Sequence, residues 1–354
     1  MAVTIEQSAD TWTPVYNKVE FLLSSTNSAN TDFSYLVDVY INGSGTKTVR
    51  LRIPIRPSDS LGEVDIHRVL ETTLSSDVGD TASILGNNDA SNSSLTYVVK
   101  FGEEYDVAGT ITAFPDLTLT GTLYSINASL EKQEWLDFNI AAYDLSSSSD
   151  KFFTNCPSSQ NVSVNNHGWL YHRSSIIVDR YYVKTYDSAG TIIATHIIDS
   201  PATAWVQYVA SAPVSLNLIA NGDLLSGTQP IITAATASYT IHGANNTGNT
   251  RSETKTYAIK EPCKFEESNL IFLNKLGGFD HFSFINGSSS SYAIQRKTMK
   301  VNVDNVTGTT IVHSMQDREK VQYYTKTTET IKLMSDWITE EEDALKLLHI
   351  LKRK

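Results

Sequence analysis

The chain has 354 residues and a formal net charge of −11. That length exceeds what one hydrophobic core usually serves, so two or three domains are expected. A surface this acidic repels polyanions, because nucleic-acid affinity rests on Lys and Arg neutralising phosphates, and nucleic acid is not an expected partner.

Charged residues make up only 19% of the chain, and 78 Ser and Thr residues take up the difference. Thr is β-branched and Ser serves turns, so the composition predicts a mainly β protein. Residues 1–14 hold no basic cluster followed by an apolar run, and no 18-residue apolar stretch occurs anywhere. Neither a signal peptide nor a membrane span is therefore expected, and the chain should fold in the cytoplasm where it is made. Two cysteines, Cys156 and Cys263, do not make a disulfide framework; whether they pair is left open.

A first domain is expected over 1–113. Val19, Phe21 and Leu23 begin it, and Phe33, Tyr35, Val37, Val39 and Ile41 then alternate with more polar residues, the period of a half-buried strand. Asn42-Gly43-Ser44-Gly45 offers the positive-φ positions of a tight hairpin, and Val49, Leu51 and Ile53 read as its returning strand. Leu95, Tyr97, Val99 and Phe101 supply another, which completes an antiparallel sandwich of immunoglobulin or fibronectin kind. Val64, Ile66 and Leu70 recur at helical spacing, so one short helix is expected near 63–74, capped by Asp59 or Ser60.

A central β domain is expected over 114–262, with strands at Leu117–Leu130, Ile176–Tyr186, Ile192–Ile198, Val214–Ile219 and Tyr239–His242. Four serines at 146–149 mark a loop. A third β domain over 263–354 contains Leu270–Leu273, Phe282 and Phe284, a turn at Asn286-Gly287 with four serines, then strands at Tyr292–Arg296, Met299–Val303 and Thr310–His313. Thr339-Glu340-Glu341-Glu342 is a capping box, and Ala344, Leu347, Leu348 and Leu351 form one apolar stripe, so a closing amphipathic helix is expected near 339–351.

The chemistry inventory is empty. No Gly-rich phosphate loop, His-Glu-x-x-His, Gly-x-Ser-x-Gly or Cys-x-x-Cys occurs. His281 reads as a packed or solvated strand residue, and residues 87–89 lack the alternating oxygen ligands of a calcium loop. Glu103 and Glu104 are neighbours on a strand and point to opposite faces, so they cannot flank one bond. Gly277-Gly278 is a backbone device, since no helix pattern follows to cradle phosphate. The five tryptophans, Trp12, Trp135, Trp169, Trp205 and Trp337, are core residues by default. No catalytic, cofactor-binding or metal-ligating residue is assigned, and no enzyme activity is expected.

Three stretches carry a resemblance. They are Val19-Glu20-Phe21 through Pro57 with Val64-Asp65-Ile66-His67-Arg68-Val69-Leu70 downstream; Lys151-Phe152-Phe153-Thr154-Asn155-Cys156-Pro157 with Gly168-Trp169-Leu170-Tyr171; and Phe272 to Phe284 leading to Ile294-Gln295-Arg296-Lys297. With the ending Ser335-Asp336-Trp337-Ile338-Thr339-Glu340-Glu341-Glu342, the chain resembles virion proteins of tailed bacteriophages that infect Bacteroidetes, including crAss-like phages. The resemblance implies a structural component of the tail, baseplate or collar, with copies of itself and other virion proteins as partners and no catalytic residues. A cell-surface adhesin or glycan-binding module, with a host surface glycan as ligand, is the alternative. The loops Asn87–Ser94, Ser146–Ser149 and Ser288–Tyr292 are the expected contact points.

Overall fold

The computed structural model describes residues 3–79, 87–173, 178–200, 205–261, 267–300, 305–312 and 320–334. They fall into two compact units: the described residues of Met1–Glu261 with Asn269–Ser283, and those of Pro262–Ser268 with Phe284–Trp337. As expected, the protein is mainly β.

The first unit opens with β1 (Val3–Gln7), β2 (Trp12–Pro14), β3 (Glu20–Ser25), β4 (Ser34–Ile41), β5 (Val49–Pro54), β6 (Gly62–Asp65) and the helix α1 (His67–Glu71). Next come β7 (Asn87–Asp89), β8 (Ser94–Val107), β9 (Thr110–Leu119) and β10 (Leu123–Ile126). β1, β3 and β6 form one sheet; β2, β10, β8, β4 and β5 form another, with β9 added on β8. Phe21, Leu23 and Val64 from the first sheet meet Tyr35, Val37, Val39, Tyr97, Val99 and Phe101 from the second in one buried core. The alternation read from the sequence is thus the sandwich interior. Asn42 and Gly43 take φ of 52° and 68°, as the β4–β5 hairpin requires.

Two expectations for this region are corrected. The helix near 63–74 is shorter: Gly62–Asp65 is strand β6, paired with β3, and only His67–Glu71 is helical. Its first turn is held by the Asp65 carboxylate, which accepts from the backbone N–H of His67 at 3.1 Å and of Val19 at 3.0 Å; Asp59 and Ser60 do not cap it. Asp59 instead pairs with Arg56 at 2.6 Å. Asp38, on the face that alternation makes polar, is buried, because the Arg50 guanidinium grips both its oxygens at 2.6 and 2.5 Å. The boundary expected at 113/114 falls inside β9, whose residues 110–119 all belong to the strand laid on β8.

The chain continues through α2 (Lys132–Leu136), β11 (Ser159–Ser163), β12 (Trp169–Arg173), β13 (Arg180–Tyr186), β14 (Ile192–Asp199) and β15 (Val206–Ala210). After these come α3 (Pro213–Asn217), β16 (Leu224–Ser226), β17 (Ser238–Ala244) and β18 (Lys255–Lys260). A six-stranded sheet runs β11-β18-β17-β13-β14-β16, and a three-stranded one runs β12-β15-β7. A second core lies between them, with Tyr181, Val183, Ile241 and Tyr257 from the larger sheet and Leu170, Val209 and Ala210 from the smaller. The strand expected at Val214–Ile219 is helix α3 over most of its length: Pro213 presets φ in its first turn, and Pro213 and Leu216, three apart, are on its buried face. The Leu117–Leu130 strand is interrupted, ending at Leu119 and resuming as β10.

The two sandwiches are joined within the unit. β7, from the first half of the sequence, pairs with β15. Around it Trp12, Ile126, Phe153, Trp169, Tyr171, Tyr208 and Leu276 bury one another in a third cluster. β19 (Ser268–Leu273) and β20 (Phe279–Phe284) pair at the end of this path. The second unit consists of β21 (Ser288–Lys300), β22 (Asn305–Thr307), β23 (Thr310–Val312) and β24 (Lys320–Leu333). The helix expected near 339–351 lies outside the described residues, as do Trp337 and Cys263.

Candidate assembly interface

The residues singled out in the sequence are mostly packed. His281 is buried on β20; its ring stacks over Tyr257 at 6.2 Å and lies against Gly168, where a Cβ would come within 2.3 Å of Nδ1. Glu103 accepts from Ser25 Oγ and Asn27 Nδ2, each at 2.6 Å, whereas Glu104 meets Arg52 at 2.9 Å, so the two carboxylates do face different partners. Gly277, at φ 89°, and Gly278 admit no Cβ, since one would sit 2.4 Å from Asn127 O and the other 2.6 Å from Phe153 O. Asn274 Oδ1 closes that turn by accepting from the N–H groups of Leu276 and Gly278.

Trp12 and Trp169 are buried, and Trp205 is 40% exposed beside Trp12 and Tyr124. Tyr124 stacks on Trp12 at 4.5 Å, and the Arg173 guanidinium lies 4.6 Å over the Trp12 ring.

The buried titratable groups serve the core. His172 on β12 takes a hydrogen bond at Nε2 from Tyr181, and its Nδ1 lies 3.0 Å from Arg173 O; burial pushes its pKa down to about 4, so it is neutral. Burial also drives the Tyr181 hydroxyl far up, and that group stays protonated. Among the described residues, no group of three or more His, Cys, Asp or Glu side chains is placed to hold a metal ion.

Two of the three expected contact loops are ordered turns or strand. Asn87–Asp89 is β7, and Ala90 and Ser93 after it are buried. Ser146–Ser149 wraps the Asp150 carboxylate, which accepts from the backbone and hydroxyl of both Ser146 and Ser147. Burial pushes the Asp150 carboxyl up, but these hydrogen bonds outweigh it and hold the group below the usual carboxylate range.

The third, Ser288–Tyr292, opens β21, which joins the strand expected at Tyr292–Arg296 to the start of the one expected at Met299–Val303; its partner β24 was not expected. β21 and β24 pair antiparallel from Ser288↔Leu333 to Lys300↔Lys320. Gly287 enters at φ 101°, with Met334 N–H donating to its carbonyl at 3.2 Å. At about 3.4 Å per residue, the 13-residue strand β21 extends about 44 Å. Every residue of β21, and all of β24 but Leu333, is exposed. Among the described residues neither strand pairs with a third, so both outer edges of the ribbon are open.

The register sorts this ribbon into two faces. Tyr292 and Ile294 share one face with Ile331, and Tyr292 Oη donates to Glu329 at 2.9 Å. Lys297, Lys326 and Lys332 share the other, where the Lys297 ammonium lies 5.6 Å over the Tyr324 ring. A bulge at Tyr323 shifts the pairing between Lys297 and Thr298. Tyr292, Ile294, Met299, Val321, Tyr323, Tyr324 and Ile331 are each between 43% and 63% exposed. The two strands carry six basic residues (Arg296, Lys297, Lys300, Lys320, Lys326 and Lys332) and one acidic, Glu329, for a net +5. The rest of a chain of net −11 therefore carries −16.

The four serines read as a turn are in fact the first residues of β21. The run Thr325 to Ile331, rich in β-branched residues, was the signal available for β24. No family model matches the chain, and a search of curated proteins finds no match either.

Proposed function

We propose that the chain is a structural protein of a tailed-bacteriophage particle, of tail, baseplate or collar-ring type, that works by assembling with copies of itself and other virion proteins and not as an enzyme. Its place is the virion, after folding in the host cytoplasm. The observation that carries this reading is the exposed two-stranded ribbon. An isolated hairpin is at best marginally stable in water, and a row of half-exposed Tyr, Ile, Val and Met side chains costs solubility unless something covers it. A feature of that kind is explained by a partner surface. The sequence resemblance to virion proteins points the same way.

The second reading is a glycan-binding or adhesin module, and the half-exposed Trp205 beside Tyr124 is what favours it. Mass spectrometry of purified particles separates the two. The chain is expected there in many copies per particle. Its absence from particles, with retention on a host-surface polysaccharide that is lost in Trp205→Ala, would establish the second reading instead.

A further inference from the structure

We infer that the partner of the ribbon is a second copy of this chain, whose acidic α2 surface receives the basic, apolar strands; this rests on the assembly reading above. Three observations carry it. First, the charge division lies within one chain, +5 on the ribbon strands against −16 elsewhere, so two copies attract ribbon-to-body while their bodies repel each other. Such a contact joins two different surfaces, and heterologous contacts close into rings or run on as filaments.

Second, the described surface offers a matching patch. Glu131, Glu134 and Asp137 are exposed around α2 and outnumber the cations beside them, Lys132 of the helix itself and Lys275, which lies 2.8 Å from Glu134 and 3.8 Å from Glu131. Leu136 among them is 63% exposed, and behind lies a cavity of about 180 Å³ lined by Phe138, Tyr143 and Leu276. Carboxylates with apolar surface complement the lysine face of the ribbon, where Lys297, Lys326 and Lys332 lie with Tyr324, Met299 and Val321.

Third, the alternative basic-arm partner, nucleic acid, fits poorly. The remaining −16 opposes approach to a polyanion, and Met299 and Val321, exposed among the lysines, have no use against phosphates.

The test uses the full chain in sedimentation equilibrium over a range of concentrations at low and high salt. The parent is expected to self-associate, more weakly at high salt. K297E/K326E/K332E on the exposed ribbon should weaken self-association at least tenfold, and so should E134Q/D137K, in which the substituted amide still completes the α2 capping box. Circular dichroism checks that both variants keep the parent fold. Mixed together, the two variants should associate with each other as neither does alone.

Parent-like association by the ribbon variant overturns this inference, and so does failure of the mixed pair to associate. If that happens while the chain is abundant in particles, the assembly reading stands and only the self-docking falls. A parent that is monomeric at every concentration and absent from particles removes both. Parent retention on double-stranded DNA at physiological salt, lost in K297E/K326E/K332E, would also overturn it in favour of a nucleic-acid partner.

Discussion

The two compact units use the same secondary structure to opposite ends. In the first, alternation puts Leu95, Tyr97, Val99 and Phe101 of β8 into a core against a second sheet. In the second, β21 and β24 pair along their length, yet Tyr292, Ile294 and Ile331 are left in solvent. What differs is the supply of a second layer. A sheet buries one face only when another element packs on it, and the ribbon has no such layer among the described residues. Strand pairing therefore makes a sheet, but does not decide whether the same chain covers it.

That contrast can be broken at graded cost. Trp169→Ala, in the cluster joining the two sandwiches, should lose about 3–5 kcal/mol in urea unfolding, since a fully buried indole leaves a cavity the surroundings cannot fill. A loss under about 1 kcal/mol would mean that the join is loose.

Acid should come next. His172 has a folded pKa of about 4 against about 6.5 in the unfolded chain, so below pH 6.5 unfolding takes up a proton. Its contribution is complete above about pH 6.5, declines as pH falls, and is spent below about pH 4, for up to about 3 kcal/mol. His172→Gln, which can still accept from Tyr181 but does not titrate, should flatten the stability profile over that window relative to the parent.

Gly168→Ala should cost about 1–3 kcal/mol, because the added Cβ must displace the His281 ring. The smallest effect belongs to the ribbon: Val321→Thr, on the lysine face, should change unfolding free energy by less than about 0.5 kcal/mol while weakening self-association. A stability loss of several kcal/mol there would show that the ribbon is covered by its own chain.

The first sandwich was largely legible, because its strands alternate and Asn42-Gly43 names its hairpin. Asp65 as the anchor of α1 was not, since a carboxylate that also accepts from the Val19 N–H depends on a residue 46 positions away. Val214–Ile219 misleads for a related reason: Val214, Leu216 and Leu218 alternate, and only Pro213 hints at a helix. The candidate interface was hidden by its own composition. The serines at 288–291 read as a turn, and a strand with no buried face lacks the strong contrast on which periodicity depends.

The pairing of β7 with β15 sets a timetable for synthesis. Asp89 meets Gln207, 118 residues further along the chain. At about 5–20 residues per second, the ribosome needs roughly 6–24 s to make the second partner after the first. For that interval Trp12, Ala90 and Ile126 wait beside a strand with nothing to pair with, a sticky edge on a nascent chain. Pausing or slow translation between residues 90 and 205 should therefore lower the yield of soluble protein more than the same delay placed after residue 260.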